Sequence, residues 1–512
     1  MTNLSQLSGE SRLAARADVV RDGGRFALAA PGVTRVEAMA DDLRRVRVAL
    51  DRFSISYLLV RGDDDRPVIA VDRTARAEVE HAFAEEFADE PFYARVDFGG
   101  KRSERLLALG RLPGDNADLF LLYRRRLRET RVGWRAAEAA VRFEFWSFGE
   151  LEIIAPRPNA LTRSRIPRLD AVLTSIEREG ESWPTLAGMF DDHADDVDFD
   201  IDIVFSWVDG AHAGHVEERR TLMAGVDPNG TDEGPARYRQ IDELRYALRS
   251  VHAFAPWVRR IFIATDSPAP AWLDPDDPRV RIVRSEEFFA DPAALPTFNS
   301  HAIESQLHHI PGLAEHFLYS NDDMFFGRPV SPMMFFSPGG VSRFVEATTR
   351  IGLGQSGPER SGHDNAMRVN RTLLRERFGR TITRHLEHCP APLRRSVLAE
   401  LEREFPADFS RTAASRFRSA EDISVTNSLY HYYALLTGRA VTQTGLRVRY
   451  VETTLAGSAA ELRQLERRRR HEMFCLNDGS DPEISEDVRI AAVTSFLERY
   501  FPVPGPWELP AS

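Results

Sequence analysis

The stretch that decides the fold is IDIVFSWVDG, residues 201–210. It is apolar over most of its length and ends in Asp209-Gly210, a pair that is typical of a turn. Such a run predicts a buried strand that stops at the turn. The residues before it, 191–200, are rich in aspartate and favour a solvated linker. We therefore expect a domain boundary near residue 195.

Strands and helices alternate after this strand. Leu244, Leu248 and Val251 recur at helical spacing and predict a helix over residues 241–254. The further elements predicted are strands over 260–265, 280–283 and 316–320 and a helix over 300–310. This alternation predicts an α/β layer with a mainly parallel sheet. Ligands of such sheets gather at the carboxyl ends of the strands.

The same reading divides the chain into four regions. No internal repeat is found. The expected domains are an N-terminal α+β domain of unknown role over 1–195, an α/β core over 196–350, a mostly helical cap over 351–450 and a C-terminal region over 451–512.

The amino-acid composition excludes some classes of function. Of the 512 residues, 43% are hydrophobic, which is enough for a sizeable core, and the net charge of -11 argues against a nucleic-acid-binding protein. Only Lys101 among the 67 basic residues is a lysine, and Arg102 follows it, so the chain has no P-loop. Any bound phosphate must then be held by arginine, by helix N-termini or by a metal.

Cellular location is also constrained. Cys389 and Cys475 lie far apart and favour two buried or half-buried thiols over a zinc cluster or a disulfide framework. The N-terminus lacks the apolar segment of a secretory signal, and no stretch reaches the roughly 18 apolar residues of a membrane span. We expect a cytoplasmic protein, a reading that leaves peripheral association with the inner face of the membrane and homo-oligomerisation open.

The triplet Asn321-Asp322-Asp323 follows directly on the strand predicted over 316–320. Adjacent carboxylates at a strand end suit a hard cation, which takes oxygen ligands. Such a cation can hold a nucleotide diphosphate and neutralise charge during phosphoryl transfer. The alternative is a triplet that only caps a turn.

The helix before that strand carries a further carboxylate. Glu304 and His308 lie one turn apart and share a face, whereas Ile303 is expected to face the core. If the face of Glu304 abuts the strand end, a third carboxylate joins the cluster. Otherwise both are surface residues.

Four stretches of the chain resemble, in order, the four regions of the Stealth family of hexose-1-phosphoryl transferases. The resemblance covers residues 201 to about 500 and leaves out the N-terminal 195. Its second region is long and specific. The stretches are IDIVFSWVDG (201–210), RYRQIDELRYALRSVHAFAPWVRRIFIATD with LPTFNSHAIESQLHHIPGLAEHFLYSNDDMFF (237–266 and 295–326), EHCPAPL (387–393) and FCLND (474–478).

The resemblance implies a Rossmann-like, GT-A-like nucleotide-sugar transferase core and an activity. The expected reaction transfers a hexose 1-phosphate from a nucleotide sugar, usually a UDP-sugar, to a hydroxyl of a polysaccharide or glycan acceptor, with Mg²⁺ or Mn²⁺ as cofactor and UMP as product. It would serve exopolysaccharide or capsule synthesis. The alternatives are an ordinary glycosyltransferase, which releases UDP, and a degenerate sugar-binding protein.

The resemblance also implies roles for single residues. His388 suits a general base because imidazole titrates near neutrality, or it orders the loop around Pro390. Arg418 suits a bidentate phosphate contact, with Arg416 as its rival. The expected sets are Glu304, Asp323, His388 and Arg418 for catalysis, Trp207, Asp209, Gly210, Arg245 and Asn321 for substrate binding, and Asp322 and Asp323 for the metal.

One position departs from the family pattern. Gln240 stands where many relatives have an aspartate after the R-[FY]-x of the second region. If that aspartate serves the donor site, sugar preference or metal affinity should differ here.

Overall fold

A computed structural model of the 512-residue chain describes residues 9–30, 32–98, 101–114, 116–127, 134–223, 241–479 and 482–510. The chain forms two compact units, residues 1–193 and 194–512. The predicted division into four domains stays a prediction, and Gln240 lies outside the described residues. In the parts of the chain described, no helix combines the length and apolar character needed to cross a membrane.

The first unit mixes sheets with a few helices. Its helices are α1 (Gly9–Ala14), α2 (Arg35–Arg52) and α3 (Arg76–Glu86). Its strands are β1 (Val19–Asp22), β2 (Arg25–Ala29), β3 (Tyr57–Val60), β4 (Val68–Asp72), β5 (Phe92–Phe98), β6 (Lys101–Leu106), β7 (Leu119–Arg124), β8 (Arg126–Leu127), β9 (Val141–Phe148), β10 (Glu152–Ile154), β11 (Arg165–Pro167), β12 (Leu173–Arg178) and β13 (Glu181–Leu186).

An eight-stranded sheet organises this unit. Strands run in the order β11-β10-β9-β7-β5-β6, with β4 joined to β9 and β3 to β4. Apolar residues of α2 and α3, among them Leu43, Val46 and Phe83, pack with sheet residues such as Phe143 in one buried cluster. The amphipathic pattern of α2 is thus explained by burial of one helix face against the sheet.

The second unit carries the α/β pattern. Its strands are β14 (Ile201–Ser206), β15 (Ile261–Ala264), β16 (Val280–Val283), β17 (His316–Asn321), β18 (Met324–Phe326), β19 (Ser342–Phe344), β20 (Glu346–Arg350), β21 (Arg384–Leu386), β22 (Ala391–Arg394), β23 (Ala440–Thr442), β24 (Val448–Glu452) and β25 (Met473–Asn477). Its helices are α4 (Ala213–Met223), α5 (Glu243–Phe254), α6 (Ser285–Phe288), α7 (Ser300–Gln306), α8 (Gly362–Phe378), α9 (Arg395–Glu404), α10 (Pro406–Ala414), α11 (Tyr430–Leu436), α12 (Ser458–Arg468) and α13 (Glu486–Tyr500).

The central sheet of this unit has the order β16-β15-β14-β17-β22. Strands β14 to β17 are mutually parallel, and only β22 at the edge is antiparallel. The predicted Rossmann-like α/β core with a mainly parallel sheet is therefore confirmed. Strand β14 is buried from Ile201 to Phe205, as expected for a central strand covered on both faces.

One aspartate lies within the central strand and is not solvated. Asp202 is fully buried within β14 and accepts hydrogen bonds from the backbone N–H of Arg260 (3.2 Å) and of Ala314 (2.7 Å) and from Nε of Arg259 (2.9 Å). It ties the starts of β15 and β17 to the central strand. A buried carboxylate is tolerated here because its oxygens are hydrogen-bonded and paired with a guanidinium.

A small sheet of order β18-β25-β24 brings the C-terminal part of the chain to the end of β17. Met324 pairs with Cys475 in this antiparallel contact. Phe474 and Cys475 are fully buried, as the sequence predicted for the thiol of Cys475. The mostly helical segment from α8 to α11 packs on the central sheet in one core that includes Phe317, Leu398 and Tyr430.

Candidate functional site

A cleft lies at the carboxyl ends of β14, β15 and β17, where the chain leaves the sheet. It encloses about 1460 Å³, including the solvent in its mouth. Trp207 after β14, Thr265 after β15 and Asn321 at the end of β17 line it. Parallel strands place their carboxyl ends on one edge of the sheet, so three turns distant in sequence meet there.

Three of the carboxylates that line this cleft interact with one another by charge, Asp322, Asp323 and Glu243. Burial, together with the charges of Asp323 and Glu243, raises the pKa of Asp322 well above its ordinary value. Burial also raises the pKa of Glu243 to about 7. The sequence did not indicate Glu243, which opens α5. Its only local signal is an acidic residue in the first turn of a helix, a common feature.

One carboxylate oxygen of Asp323 has a hydrogen-bond partner, and the other has none among the described residues. The Sγ–H of Cys475 donates to Oδ2 over 3.4 Å. Oδ1 is buried and meets no hydrogen-bond partner among the residues that the structure describes. Burial raises the pKa of Asp323 to about 6. Asp322 is the chain neighbour of Asp323, and Glu243 is coupled to both by charge, although the carboxylate oxygens of the three residues do not all lie within 4.8 Å of one another. The unsatisfied oxygen of Asp323 is a ligand of the type that a divalent cation takes.

The C-terminal segment forms one wall of the cleft through Leu476, Asn477 and Asp478. The backbone N–H of Leu476 donates to the carbonyl of Asp323 over 3.0 Å. Asp478 accepts from Thr453 Oγ1 (2.8 Å) and from Arg489 Nη1 (2.6 Å), so its carboxylate is held in place.

The residues of the WVDG turn are divided between the cleft and its rim. Trp207 is buried and lines the cleft. Asp209 closes the turn, because its Oδ1 accepts from the N–H of Ala211 (3.0 Å) and its own N–H donates to Ser267 Oγ (2.8 Å). Neither Asp209 nor Gly210 is among the residues that line the cleft.

Arg418 lines the same cleft as the carboxylates and is the only arginine among the cleft-lining residues described. Its Nη2 donates to Ser300 Oγ, at the start of α7, over 2.9 Å. Gly362 permits this position, since a Cβ there would lie only 2.9 Å from Cδ of Arg418. Arg416, the rival from the sequence, instead directs its Nη2 to the carbonyl of Leu295 over 3.4 Å and does not line the cleft.

Glu304 lies behind the cleft wall and is only 3% exposed. Thr426 Oγ1 donates to its Oε2 over 2.6 Å, and Tyr319 Oη lies 3.5 Å from its Oε1. Ile303 packs against the buried core, as expected, and also lines the cleft. Glu304 lies on another face and does not line the cleft, and the alternative that Glu304 and His308 are surface residues is wrong, since each is only 3% exposed. The catalytic role of Glu304 stays a prediction.

His388 follows β21 and lies outside the lining of the cleft. Its ring centroid is 5.1 Å from that of Tyr450 and 6.4 Å from that of His363. Burial and the neighbouring His385 lower its pKa, so the ring is neutral at pH 7. Burial lowers the pKa of His363 well below its ordinary value, and the charges of His388 and Arg418 are among those that lower it further.

Arg245 is not brought to the cleft. Its Nε donates to Glu508 Oε2 over 2.7 Å, and Arg249 binds the other oxygen of the same carboxylate at 2.6 Å. The predicted phosphate contact of Arg245 therefore has no support in this geometry.

Models of a known protein family match three of the four stretches that carry the resemblance. Models of conserved regions 2, 3 and 4 of Stealth proteins match residues 237–344, 387–435 and 464–512. The exopolysaccharide phosphotransferase CpsY of Mycobacterium tuberculosis (strain ATCC 25618 / H37Rv) is 53% identical over 492 residues, covering 96% of this chain and 92% of that protein. The similarity to this relative therefore includes most of the N-terminal unit, whereas the three family models, like the expected resemblance, leave that unit out.

More distant relatives agree with this match. An exopolysaccharide phosphotransferase of Nocardia farcinica is 52% identical, covering 92% of this chain and 88% of that protein, and one of Streptomyces coelicolor, SCO6023, is 39% identical, covering 95% and 85%. Among solved structures, the galactosyltransferase LgtC with donor and acceptor sugar analogs has a TM-score of 0.30 and 12% identity, covering 59% of this chain and 96% of that one. So low a TM-score supports no statement about activity. The chain belongs to the Stealth family of bacterial phosphotransferases.

Proposed function

We propose that this protein transfers a hexose 1-phosphate from a nucleotide sugar, a UDP-sugar, to a hydroxyl of a polysaccharide or glycan acceptor in exopolysaccharide or capsule synthesis. The reaction forms a phosphodiester, releases UMP and depends on Mg²⁺ or Mn²⁺. The observation that carries the proposal is the pairing, across one cleft, of the acidic group Asp322, Asp323 and Glu243 with the guanidinium of Arg418.

The nucleotide is assigned to the carboxyl edge of the central sheet. Trp207 offers an aromatic surface there, and Thr265 and Asn321 offer polar groups. Cofactors and nucleotides occupy this edge of parallel α/β sheets because loops from several strands converge on it. Asp209 supports the donor site from the rim, by holding the turn that presents Trp207.

Asp322 and Asp323 are the residues that would hold the cation. When bound, the cation neutralises the pyrophosphate and the charge that grows on the leaving UMP. The fit rests on the unsatisfied Oδ1 of Asp323 and on the raised pKa values of both carboxyls, since ionised neighbours repel unless a positive charge compensates them.

Arg418 is assigned to the oxygens of the phosphoryl group in transit. Its guanidinium is oriented by Ser300, so it needs little reorganisation to bind phosphate. A planar guanidinium can donate two parallel hydrogen bonds, which an ammonium group cannot. This suits a chain whose basic residues are almost all arginine.

His388 is assigned as the base for the acceptor hydroxyl. A neutral imidazole is needed for that role, and burial keeps His388 neutral at pH 7. Its neighbour His363 connects it electrostatically to Arg418. Glu304 is assigned a positioning role, through Thr426 and Tyr319, behind the cleft wall.

The decisive experiment incubates the protein with a panel of nucleotide sugars, a glycan acceptor and Mg²⁺ or Mn²⁺, and identifies the released nucleotide by chromatography. UMP supports phosphoryl transfer. UDP would instead favour an ordinary glycosyltransferase, and binding without any release would favour a degenerate sugar-binding protein. Asp323→Asn is the matched control. Any nucleotide that this variant still releases is not produced by the reaction in the cleft.

A further inference from the structure

A second cluster of ligating side chains lies away from the cleft. His308 and His309 end the short 3-10 turn that follows α7, and Glu402 lies on α9. Glu402 Oε2 is 2.8 Å from His308 Nε2 and 3.1 Å from His309 Nε2. One oxygen atom is therefore the meeting point of two imidazole nitrogens. None of the three residues lines the cleft.

A backbone carbonyl outside the cluster fixes the orientation of the His309 ring. Its Nδ1 lies 3.3 Å from the carbonyl oxygen of Phe288, which can only accept a hydrogen bond. Nδ1 therefore carries a proton, and a bound ion would take the place of the proton that Nε2 shares with Glu402. Metal-binding histidines typically donate their other ring N–H to a carbonyl or carboxylate in this way.

The three ligand atoms also lie within reach of one ion, because they are all within 4.8 Å of one another. His308 is buried, and His309 and Glu402 are half-buried, so the cluster is largely shielded from water. The guanidinium of Arg395 is held by two carbonyls, those of His308 (3.1 Å) and Leu313 (2.9 Å).

We propose that His308, His309 and Glu402 form a binding site for a transition-metal ion of the Zn²⁺ type, separate from the predicted Mg²⁺ site. Two imidazoles and one carboxylate are a ligand set that zinc accepts, with water as fourth ligand, whereas Mg²⁺ prefers oxygen. Zinc–ligand bonds of about 2.0–2.1 Å in a tetrahedron set neighbouring ligand atoms about 3.3 Å apart. The observed 2.8 and 3.1 Å need only a few tenths of an ångström of opening.

The bound ion joins two parts of the second unit. The turn of His308 and His309 continues α7, whose residues Ser300 and Ile303 line the cleft, and α9 belongs to the mostly helical segment. An ion held by both elements fixes α7 against that segment. Its expected role is structural, and it does not depend on the proposed reaction.

The test uses the full-length protein without an affinity tag. The protein is loaded with ZnCl₂, dialysed against buffer containing Mg²⁺ and analysed for bound zinc by mass spectrometry. We expect one retained zinc per chain in the wild type and in Asp323→Asn, with a raised melting temperature. We expect loss of the retained zinc and of that shift in Glu402→Gln and His309→Ala.

Glu402→Gln preserves shape and can still accept hydrogen bonds from both imidazoles, and His309 is partly exposed, so both variants should fold. Circular dichroism of the metal-free proteins checks this. The proposal is overturned if the dialysed wild type keeps no zinc above the buffer blank, or if Glu402→Gln keeps as much as the wild type. Loss of zinc in Asp323→Asn, but not in Glu402→Gln, would assign the ion to the cleft instead.

Discussion

Replacing Asp323 by asparagine is expected to stabilise the cation-free protein at neutral and alkaline pH. Burial raises the pKa of this carboxyl from 3.8 to about 6, so the folded state penalises the ionised form. A shift of about 2 units corresponds to about 3 kcal/mol, since each unit is worth about 1.36 kcal/mol. Asparagine keeps the shape, can still accept the hydrogen bond from Cys475 and carries no charge.

The pH dependence follows from the direction of the shift. Because the folded pKa of this acid lies above its unfolded value, the cost is absent at pH values below about 3.8 and grows as the pH rises through about 6. About half of it is present at pH 5, and all of it above about pH 7. The advantage of Asp323→Asn should therefore be about twice as large at pH 8 as at pH 5.

The assay is urea unfolding of the full-length chain, followed by tryptophan fluorescence at pH 5 and pH 8, in EDTA and again with Mg²⁺. Mg²⁺ should stabilise the wild type and have little effect on the variant. Asp276→Asn, which changes an exposed aspartate, should alter nothing. An Asp323→Asn protein no more stable than the wild type in EDTA at pH 8 would refute the burial argument. Equal stabilisation of both by Mg²⁺ would remove Asp323 from the cation site.

Three further predictions concern the cleft and its surroundings. Arg418→Lys should lower turnover about 100- to 1000-fold, the effect of losing one charge-assisted contact in a transition state, whereas Arg416→Lys should stay near the wild-type rate. The opposite ranking would assign the phosphate contact to Arg416. His388→Ala should abolish turnover yet leave nucleotide-sugar binding, measured by calorimetry, nearly unchanged. The rate of the wild-type enzyme should decline only below pH 6.5, because burial lowers the pKa of His388. Loss of binding in His388→Ala would make this residue a ligand contact. Arg245→Met should lower the melting temperature through the lost pair with Glu508, without changing donor affinity, and a weakened affinity at unchanged stability would restore Arg245 as a phosphate contact.

The sequence determined the elements whose signals are local. The apolar run of β14 and the helical spacing of Leu244, Leu248 and Val251 in α5 depend only on neighbours within a few turns, so they could be predicted without tertiary contacts. The carboxylates Asp322 and Asp323 could be placed at a strand end for the same reason, because β17 runs directly into them.

Only the tertiary structure decided which side chains meet at that strand end. The pairing of Met324 with Cys475 joins segments about 150 residues apart and thereby supplies the thiol that binds Asp323. Glu243 comes to the cleft because α5 starts at the sheet edge, whereas Glu304 is turned away because α7 is covered on both sides. Such contacts have no trace in the local pattern, since residue type and spacing specify the face of an element but not the partner that covers it.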